Sequence, residues 1–210
     1  DSRKVIAKES DVKEISAKQE TGYFVYQHAK TKAIPSSKKK KRKKKNQKEI
    51  KSDGTLFEII DVRNYTITTK NKKQPAKYMF PYVTDYSLSK KGELVAFVQQ
   101  KKIDKTDSSY VYIFKTSDWT KSPQRIYAVK GFCKSVKIDD AGTQVAFLSS
   151  TDTAKVKVYD LWYWNTGNTN SSQIAEAGNP AFPDGWCVSE YSKLFFSENG
   201  KKLFFGTCTK

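Results

Sequence analysis

The sequence predicts an all-β protein made of antiparallel four-stranded blades of a β-propeller. Three observations carry that reading: a strand–turn–strand pattern that occurs three times, period-two alternation of apolar residues in the intervals, and no sustained helical periodicity. The repeat stands at 86–97 (Tyr-Ser-Leu-Ser-Lys-Lys-Gly-Glu-Leu-Val-Ala-Phe), at 136–147 (Val-Lys-Ile-Asp-Asp-Ala-Gly-Thr-Gln-Val-Ala-Phe) and at 194–205 (Leu-Phe-Phe-Ser-Glu-Asn-Gly-Lys-Lys-Leu-Phe-Phe). Each copy places Ser89, Asp139 or Ser197 shortly before Gly92, Gly142 or Gly200. A short oxygen-bearing side chain bonds the amides of such a turn, and glycine supplies its positive-φ corner without a steric penalty. These six residues are therefore expected to be structural.

The elements follow in order, one unit per blade, over a propeller segment that covers residues 1–210. A first unit near 10–70 opens with a degraded copy at 15–26, in which the turn glycine is displaced to Gly22. Its third strand is expected at 55–62 and its fourth at 64–69. Residues 9–18 carry the one mild helical signal, and no helix longer than about two turns is expected. The second unit, near 78–130, adds strands at 110–114 and 125–129 to its repeat. The third, near 131–176, adds 156–164 and 173–175. The last, near 177–210, stops after two strands, which at roughly 50 residues per blade suggests an incomplete blade of a longer propeller.

Charge sits in one place. The chain has 39 Lys and Arg against 22 Asp and Glu, for a net +17, and residues 1–52 hold 17 of the basic and 6 of the acidic groups. Within them Lys38 to Lys45 is an uninterrupted basic run, too self-repelling to pack. We read 35–52 as a basic loop insertion within the first blade, able to attract polyanions without sequence preference and less so as salt rises. The run has no interleaved aromatics for stacking on bases, which argues against a specific nucleic-acid module. No apolar stretch reaches the roughly 20 residues of a membrane-spanning helix.

Catalytic chemistry is sparse. There is no Gly-x-Ser-x-Gly elbow, phosphate loop, His-Glu-x-x-His or Cys-x-x-Cys. His28, the only histidine, has no evident partners and reads as a strand-end residue. The carboxylate pairs Asp139 with Asp140 and Asp184 with Glu190 lie beside glycines, where turn duty is the simpler account. Cys133, Cys187 and Cys208 form neither a disulfide framework nor a zinc site; one pair plus one free thiol is compatible with their number. No catalytic residue, metal or cofactor is expected. Trp162, Trp164 and Trp186 are candidates to face a substrate or a second domain, against the alternative that they fill space between blades.

The motifs Tyr86 to Phe97, Leu161-Trp-Tyr-Trp164 and, most specifically, Pro183-Asp-Gly-Trp-Cys-Val-Ser-Glu190 running into Phe196 to Thr207 resemble the N-terminal β-propeller of the prolyl oligopeptidase family of serine peptidases, notably exported Bacteroidetes-type members. The resemblance covers about residues 10–210. It implies a periplasmic or extracellular bacterial protein with a C-terminal α/β-hydrolase domain carrying Ser, Asp and His, whose peptide substrates the propeller gates and orients. None of those three residues maps onto this chain. A stand-alone propeller that binds a protein, peptide or glycan is the alternative from a different class.

Overall fold

The structure is a computed structural model and describes residues 11–17, 23–29, 52–61, 76–118 and 121–210. The basic run and the fourth strand expected at 64–69 lie outside the described residues. All regular structure among these residues is antiparallel strand, and none of it is helix.

Seven strands form one continuous sheet in chain order: β1 (Val12–Ala17), β2 (Tyr23–His28), β3 (Thr55–Asp61), β4 (Ala76–Leu88), β5 (Leu94–Ile103), β6 (Thr106–Lys115) and β7 (Gln124–Val129). Within the weak helical signal at 9–18, the described residues 12–17 form strand instead, because β1 finds a pairing partner in β2. The long β4 serves two hairpins. Its first part, 76–83, pairs with β3, and its second part, 83–88, pairs with β5. Tyr82, at φ 61°, marks the corner between the two.

A second sheet holds β8 (Phe132–Ile138), β9 (Gln144–Ser150), β10 (Asp160–Asn165) and β11 (Ser172–Ala175), neighbours in chain order. Where a strand was expected from 156, β10 begins at Asp160, and Val156 is exposed. The remaining pairs are β12 (Trp186–Val188) with β15 (Thr207–Thr209), and β13 (Phe195–Phe196) with β14 (Leu203–Phe204). Their registers show that these two pairs are one interrupted hairpin. Six residues, 189–194, face only two, 205–206, across the break.

The same defect recurs in milder form. The first strand of each earlier unit carries a bulge: between Val12 and Glu14, between Val83 and Asp85, and between Lys134 and Lys137. Bulges increase local twist and bend the strand that bears them.

Alternation accounts for the core. Leu94, Ala96 and Val98 of β5 face β7, β8 and β9, joining Ile126, Val136, Val145, Phe147 and Trp164. Val95 and Phe97 of the same strand face the other way, onto Phe57, Ile59 and Phe80. In β9, Val145 and Phe147 look back toward the second unit, while Ala146 and Leu148 look forward onto Val188 and Leu194. Both β5 and β9 are thus buried on two faces, which is why they read as unbroken apolar runs rather than as alternating strands. The three clusters are the seams where strands around one copy of the repeat pack on those around the next.

Candidate functional site

Three turns and the strands leading into them define the most structured polar region. In each turn the chain closes with the same backbone bonds: Ser89 N–H to Leu94 O at 3.0 Å and Gly92 N–H to Ser89 O at 2.9 Å, repeated at Asp139 with Gln144 and Gly142, and at Ser197 with Lys202 and Gly200. Side chains complete the scheme. Ser89 Oγ accepts from Leu94 N–H, Ser197 Oγ accepts from Lys202 N–H, and Asp139 Oδ1 accepts from both Thr143 and Gln144 N–H, at 2.7 and 2.8 Å. Gly92, Gly142 and Gly200 sit at φ 68°, 72° and 66°, a region that side chains with a Cβ enter at a cost.

The turns also touch one another. Lys90 N–H reaches Asp140 O at 3.3 Å, and Lys90 Nζ pairs with the Asp140 carboxylate at 3.1 Å. Gln144 Nε2 donates to Gly200 O at 2.9 Å, while Gln144 Oε1 accepts from Tyr163 Oη at 2.7 Å. A Cβ on Gly142 would stand 3.0 Å from Ser89 Cβ, so this glycine answers two demands, its own corner and the approach of the preceding turn.

Beside the turns, the first strands of three successive units, with Gln27 of β2, line an open polar cavity of about 390 Å³. Glu14 and Ser16 come from β1, Asp85, Tyr86 and Ser87 from β4, and Lys137 from β8. Several of these groups reach across the seams. Asp85 Oδ2 accepts from Val136 N–H at 2.9 Å, Ser87 Oγ accepts from Ile138 N–H at 3.3 Å, and Ser16 Oγ lies 3.0 Å from Tyr86 Oη. Burial pushes the Asp85 carboxyl upward, opposed by the Val136 amide and the Lys137 charge. Burial likewise pushes the Tyr86 phenol to about 12, with Glu14 adding to the rise. The cavity offers both signs of charge and several hydroxyls, which suits a polar chain with charged ends; it does not set a nucleophile against a base.

The other singled-out residues divide clearly. Asp139 serves its turn and Asp140 pairs with Lys90, so this carboxylate pair is structural. Glu190 is held by Lys134 Nζ at 2.8 Å. His28 ends β2 and is fully buried, its Nε2 3.5 Å from Glu58 Oε2, an oxygen that Lys77 Nζ also approaches at 2.6 Å. Sequence reasoning missed Glu58 and Lys77 as its neighbours because they arrive from two other strands. Among the described residues no cluster of His, Cys, Asp and Glu has the makings of a metal centre.

Of the tryptophans, Trp164 takes the space-filling alternative. It is 2% exposed, packs in the seam between the second and third units, and donates Nε1–H to Asn168 O at 2.8 Å. Trp162 is half-buried against the same seam, its ring centroid 4.4 Å from that of Tyr127. Trp186 is half-buried at the start of β12, opposite Thr209.

No protein-family model matches the chain, and no curated protein matches it. Solved structures do. The tricorn protease aligns with 95% of this chain at a TM-score of 0.51 and 10% identity, using 15% of its own length. The chain has the fold of β-propeller blades. The β-propeller domain of the Trilobed protease from Pyrococcus furiosus aligns with 93% at 0.47 and 12% identity, and a prolyl endopeptidase structure with 93% at 0.49 and 13% identity. This chain spans 15%, 52% and 26% of those three, in the order given.

Proposed function

We propose that this chain is the noncatalytic N-terminal propeller part of a prolyl oligopeptidase-like serine peptidase, and that it admits and orients peptides for a hydrolase domain elsewhere in the same protein. The observation that carries this is the polar cavity bounded by the first strands of three units. Its Lys137 is suited to a peptide carboxylate, and Glu14 and Asp85 to a peptide amine, so that a short chain entering end-on meets charge of either sign. Support also comes from the Pro183 to Glu190 motif, which forms a turn closed by Trp186 N–H to Pro183 O at 3.0 Å and then carries Glu190 to Lys134. The tricorn protease, similar in fold to nearly the whole chain, gives a precedent for such blades within a protease.

In this reading the four units lie near 10–70, 78–130, 131–176 and 177–210, with 35–52 inserted in the first. The partners are the hydrolase domain and peptide substrates, with no cofactor. Trp162 and Trp186, both half-buried, are the tryptophans proposed to face a substrate or the second domain. Export to the periplasm or beyond belongs to the same proposal.

The test uses the natural protein. Its mass should exceed 24.0 kDa, it should fractionate outside the cytoplasm, and it should cleave short peptides. Lys137→Glu and Asp85→Asn in that protein should change KM for peptides according to terminal charge while leaving kcat for a small neutral ester unchanged. A natural protein with no hydrolase activity, or cavity variants indistinguishable from the parent on all peptides, would overturn it.

A further inference from the structure

The cysteines fall into two situations. Cys133 lies in the seam between the second and third units, and burial pushes its thiol to about 12. Cys187 and Cys208 instead lie directly opposite one another in the β12–β15 pair, with Sγ atoms 3.9 Å apart. Flanking bonds from Ser189 N–H to Gly206 O and from Lys210 N–H to Gly185 O hold the register on both sides. Alternation between these two bonded pairs makes the cysteine pair a hydrogen-bonded one, for which Cα atoms stand about 5.5 Å apart, inside the range a disulfide spans.

We propose that Cys187 and Cys208 are a disulfide site, forming a covalent staple across the last hairpin in an oxidising compartment. The position of the pair gives the staple a purpose. It sits next to the break where 189–194 leave the ladder, so the short β12–β15 track is joined to the rest of the hairpin through irregular chain. Two three-residue strands make a weak sheet by themselves. The bond closes the loop from 187 to 208 and keeps that track, with the Glu190 to Lys134 contact next to it, from peeling away.

Access suits the chemistry. Cys187 is 5% exposed, whereas Cys208 is half-buried and open to a small reagent. The Cys208 thiolate attacks a low-molecular-weight disulfide such as glutathione disulfide, forming a mixed disulfide and releasing one thiolate. Cys187, on losing its proton, then attacks the Cys208 sulfur and releases the second. The two protein thiols lose two protons and two electrons, and the reagent's disulfide is reduced to two thiols. Burial and the neighbouring Cys208 push the Cys187 thiol upward, which makes the exposed partner the first to react.

The experiment equilibrates the 210-residue chain in a buffer of glutathione and its disulfide, then denatures, alkylates and maps it. The expected result is loss of the mass of two hydrogens, a cross-linked peptide pair containing Cys187 and Cys208, and alkylation at Cys133 alone. Oxidation should raise the Tm by about 5 °C or more, reversibly with dithiothreitol. Cys187→Ser and Cys208→Ser should abolish that rise, and Cys133→Ser should keep it. The map of the unsubstituted chain decides the matter even if a variant fails to fold. Alkylation of all three cysteines, a bond to Cys133, or a bond between two chains would each overturn the proposal.

Discussion

Two hairpins written in nearly the same letters behave differently in this molecule. The one formed by residues 83–88 and β5 pairs continuously with a single bulge, and Val95 and Phe97 on one side and Leu94 and Ala96 on the other are all buried. The one formed by 186–196 and 203–209 repeats the turn bond for bond, yet its pairing breaks around residues 189–194, and Phe195 and Phe204 remain 49% and 43% exposed. The difference teaches that the turn is a local device and the straight ladder a collective one. Ser or Asp with Gly suffices to make the corner, while the hairpin into β5 is further held by apolar neighbours on both faces of that strand. The stacked rings of Phe195 and Phe204, 5.0 Å apart, are what such a strand pair looks like when only one face is covered.

The largest way to break the comparison is to remove a ring from each hairpin's position. Phe97→Ala, in the doubly buried β5, should cost about 3–5 kcal/mol in urea denaturation, since it empties a seam. Phe204→Ala should cost less than about 1 kcal/mol. Equal costs would mean that the last hairpin is covered in solution.

A second comparison grades the corners. Gly142→Ala forces a Cβ into a left-handed corner and against Ser89 Cβ, and should cost about 2–3 kcal/mol. Gly200→Ala meets the movable Gln144 side chain first and should cost less. Gly178, at φ 81° with open space around it, should cost about 1 kcal/mol as Ala, the conformational share alone. Chemical denaturation of the three variants checks the order, and identical values would show that turn stacking contributes nothing.

Alkaline pH probes the seam between the third unit and the last hairpin. Tyr159 packs there, and burial, with Glu190 and Tyr191 adding, pushes its phenol from 10.0 to about 12. A raised folded-state value means that the folded chain holds the proton where the unfolded chain has lost it. The contribution is therefore complete below pH 10 and is lost between pH 10 and about 12. Tyr159→Phe should flatten the fall in stability over that window, measured by denaturation at a series of pH values. An unchanged slope would assign the alkaline loss to other groups, Tyr86 foremost.

The smallest effect is expected at the tip of the turns. Lys90→Ala removes an exposed pair with Asp140 and should leave the denaturation midpoint unchanged within error, at low and high salt alike. A clear salt-dependent loss would make turn-to-turn charge a real part of the assembly.

Much of the fold was legible in the chain. The three turn motifs, the strands at 110–114 and 125–129, and the doubly apolar runs Leu-Val-Ala-Phe-Val (94–98) and Gln-Val-Ala-Phe-Leu (144–148) announce themselves through spacing and residue type alone. Less was legible of the site. Asp85 and Ser87 look in the sequence like ordinary residues of a strand, and nothing near them indicates that they accept the amides of Val136 and Ile138. For Trp164 the sequence carries a substrate-facing and a space-filling reading side by side, because one strand's alternation does not say which side has a neighbour.

What the sequence alone determined is therefore the antiparallel β class, the repeated corner and the poverty of catalytic groups. Each depends on residues within a few positions of one another: side-chain oxygens reaching nearby amides, a glycine at a left-handed corner, apolar residues two apart. The tertiary structure decided the sharing of β4 by two hairpins, the gathering of polar groups at a common cavity, the burial of Trp164 and the meeting of Cys187 with Cys208. These depend on partners that lie 21 to 56 positions away in contacts such as Cys187 with Cys208, Asp85 with Val136 and Lys134 with Glu190. Such partners are chosen by how whole sheets stack, because burying both faces of β5 and β9 fixes the seams first and leaves the polar groups to meet wherever the seams bring them.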